Sequence, residues 1–212
     1  MTPPLSVRLR EGTKTAHRLA ENAPFIQEFF RGRLPINAYR DFLVQLLPVY
    51  TALEEQQERH KNHSVLSKIY YPQLNRKDAL IQDLNFYFDD TNWQEVPLHQ
   101  ATQNYVHRIQ SLGEEWPEGL VAHHYTRYLG DLSGGQALRR IVGKTYKLES
   151  DKGLAFYDFN EIADYDRFKN EYRSRLDEMP VSEAAAGKIV DEANHAFTLN
   201  GRLFESMMKN IK

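Results

Sequence analysis

The sequence predicts an all-α fold, one domain over residues 1–212 with about eight helices. Three observations carry that reading. Apolar residues recur in steps of three and four through most of the chain, which is the spacing of one helix face. Nothing alternates with period two for long enough to make a strand. The connectors between periodic stretches are short, and none is repetitive or low in complexity.

In chain order, Leu9, Ala16 and Ala20 share the first helical face, with His17 beside them. Pro24 can open a short helix at its first position. Tyr39, Leu43, Leu46, Leu47, Tyr50 and Leu53 mark a long helix, in which Pro48 removes one backbone hydrogen bond and should produce a kink. Asn75 can cap the helix of Leu80 and Leu84. Ala101, Tyr105, Ile109 and Leu112 form the next stripe, and Ile189, Ala193, Phe197, Asn200, Phe204 and Met208 form the last. The expected connectors are 31–35, 62–75, 89–97, 112–118 and 149–160.

Composition narrows the function. With 41% apolar and 26% charged residues and a net charge of −2, the chain is not built for broad nucleic-acid binding. It has no cysteine, so disulfides, thiolate metal sites and iron–sulfur clusters are excluded. Any metal must be held by His, Asp, Glu or Tyr, or arrive inside a cofactor. Met1-Thr2-Pro3-Pro4 runs straight into charged amphipathic sequence, and the apolar runs are only a handful of residues long. A cytoplasmic protein without a membrane anchor is the expectation.

The most informative stretch is Arg127-Tyr128-Leu129-Gly130-Asp131-Leu132-Ser133-Gly134-Gly135-Gln136. It sets three glycines and an acid inside what otherwise reads as a helix. Three interior glycines cost roughly 2–3 kcal/mol relative to alanine. A helix keeps them where it kinks, or where something flat lies against its backbone. The stretch has the character of a ligand-site wall.

Eight histidines are the other candidates. His17 on an apolar face is ordinarily a satisfied core residue; its functional reading is an axial ligand to haem iron, with Glu21 one turn on to orient the ring. Glu192-Ala193-Asn194-His195 is a single Glu-x-x-His, where a di-iron bundle needs two and further carboxylates. His60 and His63 suit a solvated helix end, and the adjacent His123 and His124 point about 100° apart and cannot share a metal. Arg10, two turns before His17, and the pair Lys169 and Arg173 are either solvated surface or holders of a flat dianion. Arg139, Arg140, Lys144 and Lys147 are either plain surface or a dock for an acidic partner.

Together, His17 within Lys14-Thr15-Ala16-His17-Arg18-Leu19-Ala20-Glu21-Asn22 and the run Val121 to Gln136 resemble haem oxygenase, and the likeness extends from about Leu9 to Phe204. The cyanobacterial, plastid and animal branch is the nearest in pattern. The resemblance implies haem sandwiched between a proximal N-terminal helix and a glycine-rich, kinked distal helix. It assigns His17 as the iron ligand, Gly130 and Gly134 as the distal wall, and Asp131 as the distal acid. Arg10, Tyr125, Lys169 and Arg173 match positions that hold the haem propionates or rim, and Tyr50, Phe197, Asn200 and Phe204 the distal side or its water network.

The implied reaction cleaves haem b, both substrate and cofactor, to biliverdin (the IXα isomer by family pattern), carbon monoxide and ferrous iron. It uses dioxygen and electrons from ferredoxin or a similar acidic donor, which the cluster from Arg139 to Lys147 could dock; a bilin reductase could follow. The rival is a haem carrier or sensor on the same fold, which would need neither Asp131 nor the glycines. A thiaminase-like hydrolase would call for an activated cysteine. The chain departs from the family pattern at His124, where a small residue is usual, and at Pro48, in the helix that carries Tyr50.

Overall fold

A computed structural model describes residues 3–89 and 92–208; positions 90 and 91 of one expected connector, and the terminal residues 1–2 and 209–212, lie outside the described residues. The regular elements among the described residues are all helical, with no strand. The helices are α1 (Leu5–Gly12), α2 (Lys14–Glu21), α3 (Pro24–Phe30), α4 (Ile36–Arg59), α5 (Lys77–Phe88), α6 (Gln100–Glu115), α7 (Leu120–His124), α8 (Gly130–Thr145), α9 (Tyr165–Asp177) and α10 (Glu183–Met208). A π-helical turn, Tyr125–Leu129, joins α7 to α8, so these two form one rod.

α4 and α10 are the two long struts. α4 packs on α5 and α6, and α10 lies across α1, α2, α3, α6 and α7. The expected stripes form the core: Tyr39, Leu43, Leu46, Tyr50 and Leu53 of α4 are fully buried, as are Tyr105, Ile109, Ile189 and Ala193. Leu47 is only half-buried. Pro24 opens α3 at its first turn, as its fixed φ favours.

Two local expectations are corrected. The first helix is two, because the chain turns at Thr13, whose hydroxyl donates to Leu9 O at 2.7 Å. Arg10 and His17 therefore do not share one helix face. Asn75 does not cap α5; Glu54 of α4 accepts from Arg76 N (2.5 Å) and Lys77 N (2.9 Å), a full carboxylate at a helix N-terminus. Pro48 sits inside α4 without interrupting it. The connectors also hold short 3₁₀ turns at Leu66–Ile69, Pro72–Leu74, Trp93–Glu95 and Ala155–Tyr157, and α6 runs on to Glu115, past the expected start of its connector. No helix among the described residues is long and apolar enough to cross a membrane.

Candidate active site: a cavity between a bare helix and a glycine wall

α2, α3, α10 and the α7–α8 rod enclose a cavity of about 460 Å³, within the range of small-molecule and cofactor sites. α2 has no buried residue. Ala20, His17 and Glu21 line the cavity instead of entering the core. His17 is half exposed, its Nδ1 3.4 Å from Glu21 Oε2 and its ring edge-on to Phe197 at 5.5 Å. A core histidine would be covered on all sides; this one is covered by nothing where it faces the cavity.

The opposite wall is the rod. The π turn adds a residue to one helical turn, a device concentrated at functional sites. Tyr125, Thr126 and Leu129 of that turn and Gly130, Ser133 and Gly134 just after it all line the cavity. A Cβ built at Gly130 or Gly134 meets no atom within 4 Å, whereas one at Gly135 reaches Tyr157 Cδ1 at 3.7 Å. Two of the three glycines therefore keep space open and the third is packed against the core side. The irregularity in the helix falls at the π turn; the glycine stretch itself is regular α-helix.

Asp131 is not among the residues lining the cavity. It lies on the other side of the rod, where the Tyr50 hydroxyl donates to its Oδ2 and the Arg127 guanidinium stands 3.8 Å from Oδ1. Burial raises its pKa, opposed by Arg127 and the Tyr50 hydrogen bond. Arg127 also donates to Tyr50 Oη (2.6 and 3.1 Å) and to Asn200 Oδ1 (2.7 Å), and Asn200 Nδ2 donates to Tyr105 Oη (3.3 Å). Tyr50 and Asn200 thus belong to a buried polar network behind the wall and do not line the cavity. Arg127 and Tyr105 are its unforeseen members. Arg127 was legible as a cation four residues before Asp131; Tyr105 read as core and carried no other signal.

The rim is cationic. Arg10 and Arg173 line the mouth, with Arg10 Nε bonded to Glu11 at 2.9 Å and Arg173 to Asn170 at 3.0 Å. Burial raises the Tyr125 hydroxyl pKa. Phe197 and Phe204 line the cavity, and Phe204 stacks on Phe25 at 5.9 Å. Val7, Ile26, Phe30 and Leu138 complete the apolar lining, none of them singled out by the sequence. Lys169 does not line the cavity; Asp166, one turn earlier on α9, holds its ammonium at 2.8 Å.

Of the other candidates, His123, Glu192 and Arg139 find partners away from the cavity. Glu192 accepts from Arg108 at 2.5 and 3.0 Å and lies 2.9 Å from His123 Nε2, so the carboxylate of the Glu-x-x-His element is already paired. His60 and His63 are half-buried, so the solvated reading is too simple. Arg139 is tied to Asp151 at 2.8 Å, whereas Arg140, Lys144 and Lys147 are exposed.

An exposed imidazole opposite a glycine backbone, with cations at the mouth, suits a flat, anionic, metal-bearing ligand. The heme oxygenase family model matches residues 3–206. Heme oxygenase 1 of Synechocystis sp. PCC 6803 is 47% identical over 212 residues, covering 100% of this chain and 88% of the relative, and the chicken heme oxygenase 1 is 43% identical, covering 100% and 72%. The crystal structure of the Synechocystis heme oxygenase-1 in complex with heme matches with a TM-score of 0.93 at 46% identity, over 99% of this chain and 96% of that one. The chain belongs to the haem oxygenase family, an oxidoreductase family in which haem is both substrate and cofactor.

Proposed function

We propose that this chain binds haem between His17 and the Gly130–Gly134 backbone and cleaves it to biliverdin, carbon monoxide and ferrous iron. The observation that carries this is the opposition of a half-exposed imidazole and two glycines across one cavity. The residues fit the group: the open Cβ positions leave room for a planar face, and the uncovered side of α2 lacks a partner of its own.

Bound haem supplies the iron that takes up dioxygen and the porphyrin that is cut. The chain's own residues do the rest. His17 would hold the iron, with Glu21 beside its Nδ1 (3.4 Å) to orient the ring. Arg10, Tyr125 and Arg173 hold the carboxylates at the mouth, and Lys169 joins them by releasing the exposed Asp166. Phe197 and Phe204 press on the apolar faces. Gly130 and Gly134 would let their backbone lie close against one face of the group, and the restricted space on that side is the basis of regiochemistry. Asp131, held by Tyr50 and Arg127 with Asn200 behind them, orders water at that side and delivers protons.

Exposed Arg140, Lys144 and Lys147 support docking of an acidic donor such as ferredoxin, with Arg139 contributing once it leaves Asp151. The reading places the enzyme in the cytoplasm as one domain over residues 1–212, with a bilin reductase taking up its product. The test is to load the protein with haemin, supply reduced ferredoxin in air and follow the Soret band. The expected result is its loss with appearance of a bilin, whose isomer chromatography then identifies. An unaltered band with a competent reductant would make the protein a haem carrier.

A further inference from the structure

His124 is fully buried on α7 and takes no part in the function proposed above. Its ring stacks on Tyr172 of α9, centroids 5.5 Å apart and planes 18° apart, and rests against Tyr128 at 4.5 Å. Nδ1 lies 2.7 Å from Tyr172 Oη, and Nε2 has no partner among the described residues. Burial lowers the His124 pKa to about 3, so the ring is neutral and one nitrogen carries a lone pair. A hydrogen on Nδ1 would leave both the Tyr172 hydroxyl proton and the Nε2 lone pair buried without partners. A hydrogen on Nε2 leaves only that N–H unpaired. The second arrangement orphans fewer groups, so Tyr172 donates and His124 Nδ1 accepts.

A phenol bonded to a neutral imidazole gives up an electron readily, because the acidic proton of the oxidised phenol already has an acceptor in place. We propose that Tyr172 and His124 form a proton-coupled redox pair that drains oxidising equivalents away from the cavity. Tyr172 loses one electron, and its proton passes to His124 Nδ1, leaving a neutral phenoxyl radical and an imidazolium. The electron reduces, by one equivalent, an oxidant of the class formed when iron porphyrins meet hydrogen peroxide.

Aromatic contacts give the path both ends. Tyr128 meets His124 on one side and Tyr50, 5.9 Å away, on the other, and Tyr50 is bonded to Asp131 behind the glycine wall. Toward the surface, Tyr71 lies 6.1 Å from Tyr172, is half-buried, and donates to Glu171 at 3.1 Å. Tyr71 returns an electron to Tyr172 while the imidazolium returns its proton, and the Tyr71 proton moves to Glu171. A thiol- or ascorbate-class reductant then supplies an electron to Tyr71, which recovers its proton from Glu171.

The source of the oxidant rests on the haem reading; the pair itself does not, so it is tested without haem. The full chain is photo-oxidised with ruthenium tris-bipyridine and persulfate, freeze-quenched and examined by electron paramagnetic resonance. The expected signal is a tyrosyl radical that shows coupling to one imidazole nitrogen when histidine is isotopically labelled. Tyr172→Phe should abolish that coupled radical, and His124→Phe should remove the coupling and lower the radical yield, with circular dichroism confirming the fold. A radical without histidine coupling in the unaltered chain, or one unchanged in Tyr172→Phe, overturns the proposal. Haemin uptake, measured separately, reports on the haem reading alone.

Discussion

Across the cavity, α2 buries none of its eight residues, whereas the π turn and α8 opposite it rest on a buried network that joins Asp131, Tyr50, Arg127, Asn200 and Tyr105. One wall is completed only by what it binds; the other is preorganised before anything arrives. The division suits the chemistry. In the proposed function a loosely covered α2 would adapt its imidazole to a bulky ligand and let a product leave, while proton handling needs donors and acceptors fixed in advance. Substitutions on the two sides should therefore fail in different ways.

The largest effect is expected on the rigid side. Asp131→Ala removes the acceptor of the Tyr50 hydroxyl and the anion facing Arg127. Bilin formation should fall by about 10²-fold or more, the scale of a lost acid–base group. Haemin uptake should persist, since Asp131 does not line the cavity. The Tyr50 hydroxyl would still accept from Arg127, but its buried proton would lose its acceptor, at a cost of about 1–3 kcal/mol of stability. Undiminished product with normal uptake would remove Asp131 from proton delivery.

On the adaptable side, His17→Ala should separate function from stability. His17 is half exposed and paired only with exposed Glu21, so unfolding free energy should change by no more than about 0.5 kcal/mol. The haem spectrum should lose the features of imidazole-bound iron, and added imidazole should restore them. A spectrum unchanged by the substitution would exclude the ligand role, and a collapse of stability would show that α2 is not the bare wall described here.

The contrast also explains how far the sequence could be read. The helical stripes were legible because burial at steps of three and four is periodic, and Tyr39, Leu43, Leu46, Tyr50 and Leu53 all reached the core. Gly130, Gly134 and His17 were legible because a glycine or histidine in a helix breaks an otherwise regular pattern. The Thr13 break was not, since a threonine bonded back to the preceding turn looks like any helical threonine. Nor was the cap of α5, because Glu54 comes from another helix. Asp131 was recognised as an acid near the glycines, but its position behind the wall depends on the π turn, which is set by tertiary packing and has no sequence period. The same limit hid Tyr105.

Acid should act on the preorganised side. Burial lowers the His123 and His124 pKa values, the latter to about 3, so the unfolded chain takes up protons first as pH falls below the ordinary histidine range. Burial would raise Glu192, but its hydrogen bonds to His123 and Arg108 outweigh this and bring it to about 2. Both signs agree: stability is present at neutral pH, falls from about pH 6.5 as the histidines become protonated in the unfolded state, and falls further below the ordinary glutamate range as Glu192 is protonated. Denaturant unfolding at stepped pH should show this decline, and His124→Phe should flatten its upper part. An unaltered slope in that variant would show that His124 is not neutral in the fold.

The one substitution expected to add stability is also the sharpest probe of the wall. Gly134 is in regular helix and a Cβ there meets no atom within 4 Å, so alanine should fit without strain. Helix propensity then predicts a gain of about 0.5–1 kcal/mol for Gly134→Ala in the absence of ligand. The added methyl, however, projects into the space the haem face requires, so haemin should bind more weakly and any product should shift in isomer composition. Stability and affinity moving in opposite directions is the signature of a glycine kept for what lies against it. Gly135→Ala supplies the control: its Cβ would contact Tyr157 on the core side, and haemin affinity should hold. Equal losses of affinity at Gly134 and Gly135 would mean that the helix as a whole, not the open face of one residue, sets the site.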